Sequence, residues 1–138
     1  MSARDRYHQE FKTALENEGW TVTDDPLIVQ LGEMKVKIDL GAESLIVAEK
    51  ENERIAIEIK TFRHASFITD LQDAVGQYVC YQFMLKKTRS DRMLYLGIPT
   101  KVYTLYEEEP IIEIFDELNI SLILYDPETE IIDKWIRN

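Results

Sequence analysis

The chain of 138 residues holds a single cysteine, Cys80. An intrachain disulfide is therefore impossible, and a reducing, cytoplasmic location is the simplest expectation. Glycine (5) and proline (4) are too few for a flexible linker or a low-complexity tract, so residues 1–138 are expected to form one domain. Apolar runs are short as well. Ser121–Tyr125 is typical, and a membrane-spanning helix needs about 20 apolar residues. The opening Met1–Arg6 is polar with no apolar stretch behind it, which reads against a secretory signal. Positive charge is the last scarcity: 16 Lys and Arg face 26 Asp and Glu, a net charge of −10 and a pI near 4.7. Duplex binding draws on Lys and Arg that neutralise phosphates. An acidic chain that acts on nucleic acid must gather its cations on one face, use metal ions, or borrow a basic partner. The Gly-rich G-x-x-x-x-G-K-[ST] loop that cradles nucleotide phosphates is also missing, which disfavours a small-molecule phosphohydrolase.

What is present is a regular alternation of patterns. Tyr7, Phe11, Ala14 and Leu15 recur at helical spacing, predicting a helix over 4–18 closed by Gly19 in a left-handed conformation. Short strands are expected at 21–23 and 27–31. Met34–Leu40 alternates as a half-buried strand does and is expected to stop at Gly41-Ala42. Residues 45–49 read as a strand, 50–54 as a charged hairpin turn, and 55–60 as a strand again. A helix over 68–86 follows, with Leu71, Val75, Tyr78, Val79, Gln82 and Phe83 as its buried stripe and Cys80 as a small core residue. Then come a strand at 92–98 stopped by Pro99, a helix at 110–118, a strand at 121–125 and a last apolar segment at 131–136. The order predicts a mixed α/β (α+β) fold, with a central mixed sheet flanked by helices.

The chemistry concentrates in Asp39, Glu58 and Lys60. Ile55, Ile57 and Ile59 form one face of a strand, and Glu58 and Lys60 the other. A central strand rarely meets bulk water on either face, so a carboxylate there calls for a cation. Asp39 ends a strand that the intervening hairpin can lay alongside. Two converging carboxylates without sulfur ligands favour a hard ion, Mg²⁺ or Mn²⁺, to which the Ile59 backbone carbonyl can add an oxygen. Lys60 beside such an ion can position or deprotonate water and stabilise charge at a phosphate. Standing alone, Glu-x-Lys on a strand is more often a solvated surface pair; the case rests on the company it keeps.

That company carries a resemblance. Asp39 with Glu58-Ile59-Lys60, between a first helix and a following one, resembles the PD-(D/E)xK superfamily of restriction-endonuclease-like nucleases. Over nearly the whole chain, Arg4-Asp5-Arg6-Tyr7-His8, Gly19-Trp20, Asp25-Pro26, Ile38-Asp39-Leu40-Gly41-Ala42-Glu43, Glu58-Ile59-Lys60, Gly76-Gln77-Tyr78, Leu94-Tyr95-Leu96 and Asp126-Pro127-Glu128 resemble the XisH family. Those proteins are the fdxN-element excision controlling factors of cyanobacteria. The resemblance implies control of site-specific excision of a DNA element during heterocyst development, an XisI-type protein partner, and action beside a recombinase.

Junction-resolvase-like members of the superfamily carry a metal-binding Glu in the first helix. Here that helix offers His8, Glu10 and Glu16. The position falls closest to His8, a candidate water-positioning base or phosphate donor, with Glu10 as the alternative. Gln77 stands where the superfamily often aims a polar helix residue at the site, and Gly76-Gln77-Tyr78 suggests close packing on the sheet. Glu43 and Glu49 are further carboxylates near Asp39. Lys35 and Lys37, with Lys86, Lys87, Arg89 and Arg92, are the main concentrations of cations and could form a phosphate-contacting edge. Two functions are open: a Mg²⁺-dependent DNA endonuclease, or a catalytically silent nuclease-fold regulator acting through its partner. A homodimer through an edge strand or the C-terminal segment is a base-rate expectation.

Overall fold

The computed structural model describes residues 6–46, 51–62 and 66–138. The elements are α1 (His8–Asn17), β1 (Thr21–Asp24), β2 (Leu27–Leu31), β3 (Met34–Ile38), β4 (Leu40–Ile46), β5 (Glu51–Ile59), α2 (Phe67–Lys87), β6 (Met93–Pro99), α3 (Thr100–Tyr106), a 3-10 turn (Pro110–Ile112) leading into α4 (Glu113–Glu117), β7 (Leu122–Asp126) and β8 (Ile131–Ile136). Six strands make one mixed sheet in the order β1-β4-β5-β6-β7-β8, and β2 and β3 pair as a separate ribbon. β5, β6 and β7 run parallel, and their neighbours β4 and β8 are antiparallel to them. Parallel pairs need crossovers, supplied by α2 between β5 and β6 and by α3 and α4 between β6 and β7.

Both faces of the sheet are covered. On one side Phe11, Ala14 and Leu15 of α1 pack on Ile55, Ile57, Ile59, Tyr95 and Tyr125. On the other, Leu71, Ala74, Tyr78, Tyr81 and Leu85 of α2 pack on Ala56, Leu94, Leu96 and the ribbon's Val29 and Ile38. The isoleucine row therefore faces α1, and strand alternation turns Glu58 and Lys60 toward α2.

Three expectations need correction. Gly41 and Ala42 do not end a strand; they lie inside β4, and the break falls at Asp39. In an unbroken strand residues 38 and 40 would share a face, yet Ile38 belongs to the α2-side core and Leu40 to the α1-side core. The bend lets one short stretch feed both. Gly41 serves packing instead: a Cβ there would lie 2.9 Å from Nη1 of Arg92. That guanidinium crosses the sheet, donating to the Ile55 carbonyl at 2.9 Å and to Asp24 at 3.0 Å.

The second correction concerns α2. Val79 and Phe83 are 51% and 54% exposed, and Gln82, Cys80 and Gly76 are exposed too. The helix carries two apolar stripes. The one through Leu71, Ala74, Tyr78 and Leu85 meets the sheet because Tyr78 can satisfy its hydroxyl there, donating to the Leu94 carbonyl at 2.9 Å and accepting the Ser121 N–H at 3.1 Å. A Cβ at Gly76 would meet nothing within 4 Å, so this glycine grants no close approach to the sheet. Third, the strand β5 already begins at Glu51, inside the segment read as a hairpin turn. The helix α3, directly after Pro99, lies where the sequence carried no expectation.

Candidate functional site

The site stands at the carboxyl end of β5, an end where ligands collect in open α/β sheets. Register builds it. Leu40 pairs with Ile57, so the residue before Leu40 comes level with the end of β5. The Asp39 carboxylate accepts the Ile59 backbone N–H at 2.8 Å. That bond fixes Asp39 beside Glu58, whose side chain points to the α2 face of the same strand. Both carboxylates are buried, Asp39 at 2% and Glu58 at 7% exposure. The Lys60 ammonium lies 3.9 Å from Glu58, and the Lys60 N–H donates to the Gly97 carbonyl at 2.9 Å, tying the strand end to β6. Asp39 is thus held against Ile59, and Lys60 lies near Glu58, at the end of one strand.

α2 contributes the opposite wall. Gln77 and Tyr81 are four residues apart and so lie on one helix face. Gln77 is half-buried, and its Oε1 is enclosed with no hydrogen-bond partner among the described residues. Tyr81 is buried, and burial followed by the nearby charges of Glu58 and Asp39 pushes its phenol up to about 12. It is a protonated donor at neutral pH. Sequence reasoning passed over Tyr81; its place four residues after Gln77 was the available signal.

On the other side, burial pushes the Tyr125 phenol strongly upward, and the neighbouring Tyr7, Glu10 and Asp39 add to the effect. Glu10, half-buried on α1, is thus a helix carboxylate near Tyr125. His8 is placed differently: its Nε2 lies 2.7 Å from Asp25, which also accepts from Lys12 at 3.2 Å. Burial acts to raise the Asp25 carboxyl, but its bonds to His8 and Lys12 outweigh that and hold it below the usual value. Glu43 is engaged by Arg54 at 3.7 Å, and Glu49 lies outside the described residues.

Among the described residues no three His, Cys, Asp or Glu side chains gather closely enough to hold a metal by themselves. Two carboxylates and a backbone carbonyl still make an all-oxygen donor set. That set suits Mg²⁺, which keeps several waters and commonly takes only one or two carboxylates. No helix among the described residues is long and apolar enough to cross a membrane.

Comparison with known proteins gives a consistent answer. The family described as XisH protein matches residues 1–133. The crystal structure of an XisH family protein from Nostoc punctiforme PCC 73102 is similar at 35% identity and a TM-score of 0.86, covering 96% of this chain and 100% of that one. The crystal structure of a fdxN element excision controlling factor protein from Anabaena variabilis is similar at 36% identity and a TM-score of 0.86, covering 97% of this chain and 100% of that one. No curated protein matches the chain.

Proposed function

The chain belongs to the XisH family, and from that premise we propose that it controls excision of a DNA element through a nuclease-like, metal-dependent site that hydrolyses phosphodiesters. The Anabaena variabilis relative is named for excision control of the fdxN element. One observation carries the chemical half of the reading: two carboxylates, Asp39 and Glu58, are buried at one strand end with the Lys60 ammonium beside them. Carboxylates are costly to bury, and functional sites are where that cost is tolerated.

Asp39, Glu58 and the Ile59 carbonyl would hold Mg²⁺ or Mn²⁺. Such an ion supplies a Lewis acid and a water of lowered pKa. Lys60 would position a water in the site and offset charge growing on the scissile phosphate. Gln77, with its enclosed amide oxygen, accepts a hydrogen bond from a water in the site. The buried Tyr81 phenol, close enough to Glu58 and Asp39 to feel their charge, would help to set the electrostatics of the site. A recombinase acting on the same element is the natural partner system.

Calorimetric titration of Mn²⁺ and Mg²⁺ into wild-type protein, Asp39→Ala and Glu58→Ala tests this. Saturable binding lost in both variants is expected, together with cleavage of branched, single-stranded or duplex DNA that needs the metal. Binding indifferent to both changes would sink the proposal.

A second reading keeps the fold and drops the catalysis. The net charge of −10 and the exposed apolar residues Ile68, Val79 and Phe83 of α2 favour a regulator that works through an XisI-type protein. Failure of the two proteins to co-purify would count against it.

A further inference from the structure

The cations of this acidic chain fall into two groups. Lys12, Arg54, Lys60, Arg92, Lys101 and Arg137 each sit within ion-pair distance of a carboxylate. Among the described residues seven exposed cations pair with none: Arg6 and Lys134, which lie elsewhere in the chain, and the five Lys35, Lys37, Lys86, Lys87 and Arg89.

The fold brings these five to one edge. In the β2–β3 ribbon Gln30 pairs with Lys35 and Ile28 with Lys37. Residues paired across a ribbon share a face. Leu27, Val29, Leu31, Val36 and Ile38 turn inward to the α2-side core, so Lys35, Lys37 and Gln30 stand on the outer face. β2 also runs beside the end of α2: Leu27–Gln30 line a cleft with Leu85, Thr88, Ser90 and Arg92. Lys86, Lys87 and Arg89 are interleaved with three of those cleft residues. The ribbon then leads straight into the bend at Asp39, and Lys37 precedes it by two residues, about 7 Å of strand at ~3.3 Å per residue.

We propose that the outer face of the β2–β3 ribbon and the C-terminal end of α2 form the surface that grips a DNA backbone and leads one phosphodiester to Asp39 and Glu58. The proposal rests on the nuclease reading for its destination and on charge placement for its surface. Lysines bind phosphates as flexible point charges, and a two-stranded ribbon is narrow enough to enter the major groove. The placement also answers the shortage of positive charge: five unpaired cations are left available for phosphate on this surface, while Lys12, Arg54, Lys60, Arg92, Lys101 and Arg137 are held in ion pairs. The plainer alternatives are that Lys35 and Lys37 protect an open ribbon edge from aggregation and that Lys86 and Lys87 stabilise a helix C-terminus. Neither alternative makes DNA binding depend on these residues.

The test is fluorescence anisotropy of a labelled 20-base-pair duplex with the full chain, in EDTA so that nothing is cleaved, from 50 to 200 mM salt. Wild type is expected to bind with a log–log salt slope near −4, about −0.9 per phosphate engaged. Lys35→Glu with Lys37→Glu should weaken binding tenfold or more and flatten the slope by about 2; Lys86→Ala with Lys87→Ala should act in the same direction. Lys134→Ala should bind as wild type. Wild-type affinity in both double variants, or no salt-dependent binding at 50 mM, would overturn the surface. A polyglutamate probe that binds as tightly as DNA would assign it to an acidic protein and overturn it as well. Loss of metal binding with DNA binding intact would bring down only the catalytic reading.

Discussion

Asp39 has two duties, and two substitutions separate them. Its carboxylate accepts the Ile59 N–H at 2.8 Å in a buried setting. Alanine leaves that donor without an acceptor, which costs about 1–3 kcal/mol. Asparagine keeps an acceptor of similar shape and removes only the charge. In EDTA, Asp39→Ala should therefore be less stable than wild type by about 1–3 kcal/mol, and Asp39→Asn should stay close to wild type. Metal changes the comparison. At about 100 times its Kd, Mn²⁺ adds about 2.7 kcal/mol to a protein that binds it only when folded. For a chain of this size each kcal/mol moves Tm by roughly 3–5 °C, so wild type should gain roughly 10 °C. Neither variant should follow. Calorimetric scans with and without Mn²⁺ read both effects. A wild-type Mn²⁺ shift in Asp39→Asn would refute the placing of the ion at this carboxylate. Equal stability of the two variants in EDTA would refute the anchoring of Asp39 by Ile59.

Three further expectations follow from the packing and the charges. Tyr81→Phe removes a buried hydroxyl near Glu58 and Asp39 and should weaken Mn²⁺ binding by about tenfold, the usual scale for groups that support metal ligands; unchanged affinity by calorimetric titration would remove Tyr81 from the site. Gly97→Ala would set a Cβ 2.8 Å from Cε2 of the buried Phe11 ring, and the overpacking should lower stability by about 1–3 kcal/mol in urea unfolding. Asp25→Asn should destabilise at neutral pH. Because the folded-state carboxyl of Asp25 lies below its ordinary value of 3.8, its contribution is present above that value and lost as pH falls through the folded-state value; a wild-type-minus-variant difference that grows on acidification would contradict the sign.

The part of the site written on β5 was legible because strand periodicity is rigid. With Ile55, Ile57 and Ile59 committed to one core, Glu58 and Lys60 could point only the other way. Asp39 was legible as a residue near the end of a strand, but the break at Asp39 itself, and its cause, were hidden. The break exists because Ile38 and Leu40 serve opposite cores, and that is a property of the assembled layers. The register of α2 was ambiguous for a related reason. Val79 and Phe83 are as apolar as the residues that do pack, and Tyr78 decides the matter through partners on β6 and at Ser121, distant in sequence. Tyr81 became visible only once that register was known. His8 drew attention by position, while its environment is set by Asp25, seventeen residues away.

The acidity of the chain and a DNA-directed role are compatible once range is considered. At physiological ionic strength charges are screened over about 8 Å. A phosphate against Lys35 or Lys37 therefore responds to its immediate neighbours and hardly to a net charge of −10 spread over the whole molecule. At about 0.01 M salt the screening length grows to about 30 Å, and the acidic bulk then opposes approach. Association rates with duplex should accordingly gain less from dilute buffer than those of a basic DNA-binding protein engaging the same number of phosphates. Stopped-flow rates measured across that range would show it. A rate that climbs on dilution as steeply as a basic protein's would mean that DNA senses a larger positive surface than the ribbon and the end of α2 provide.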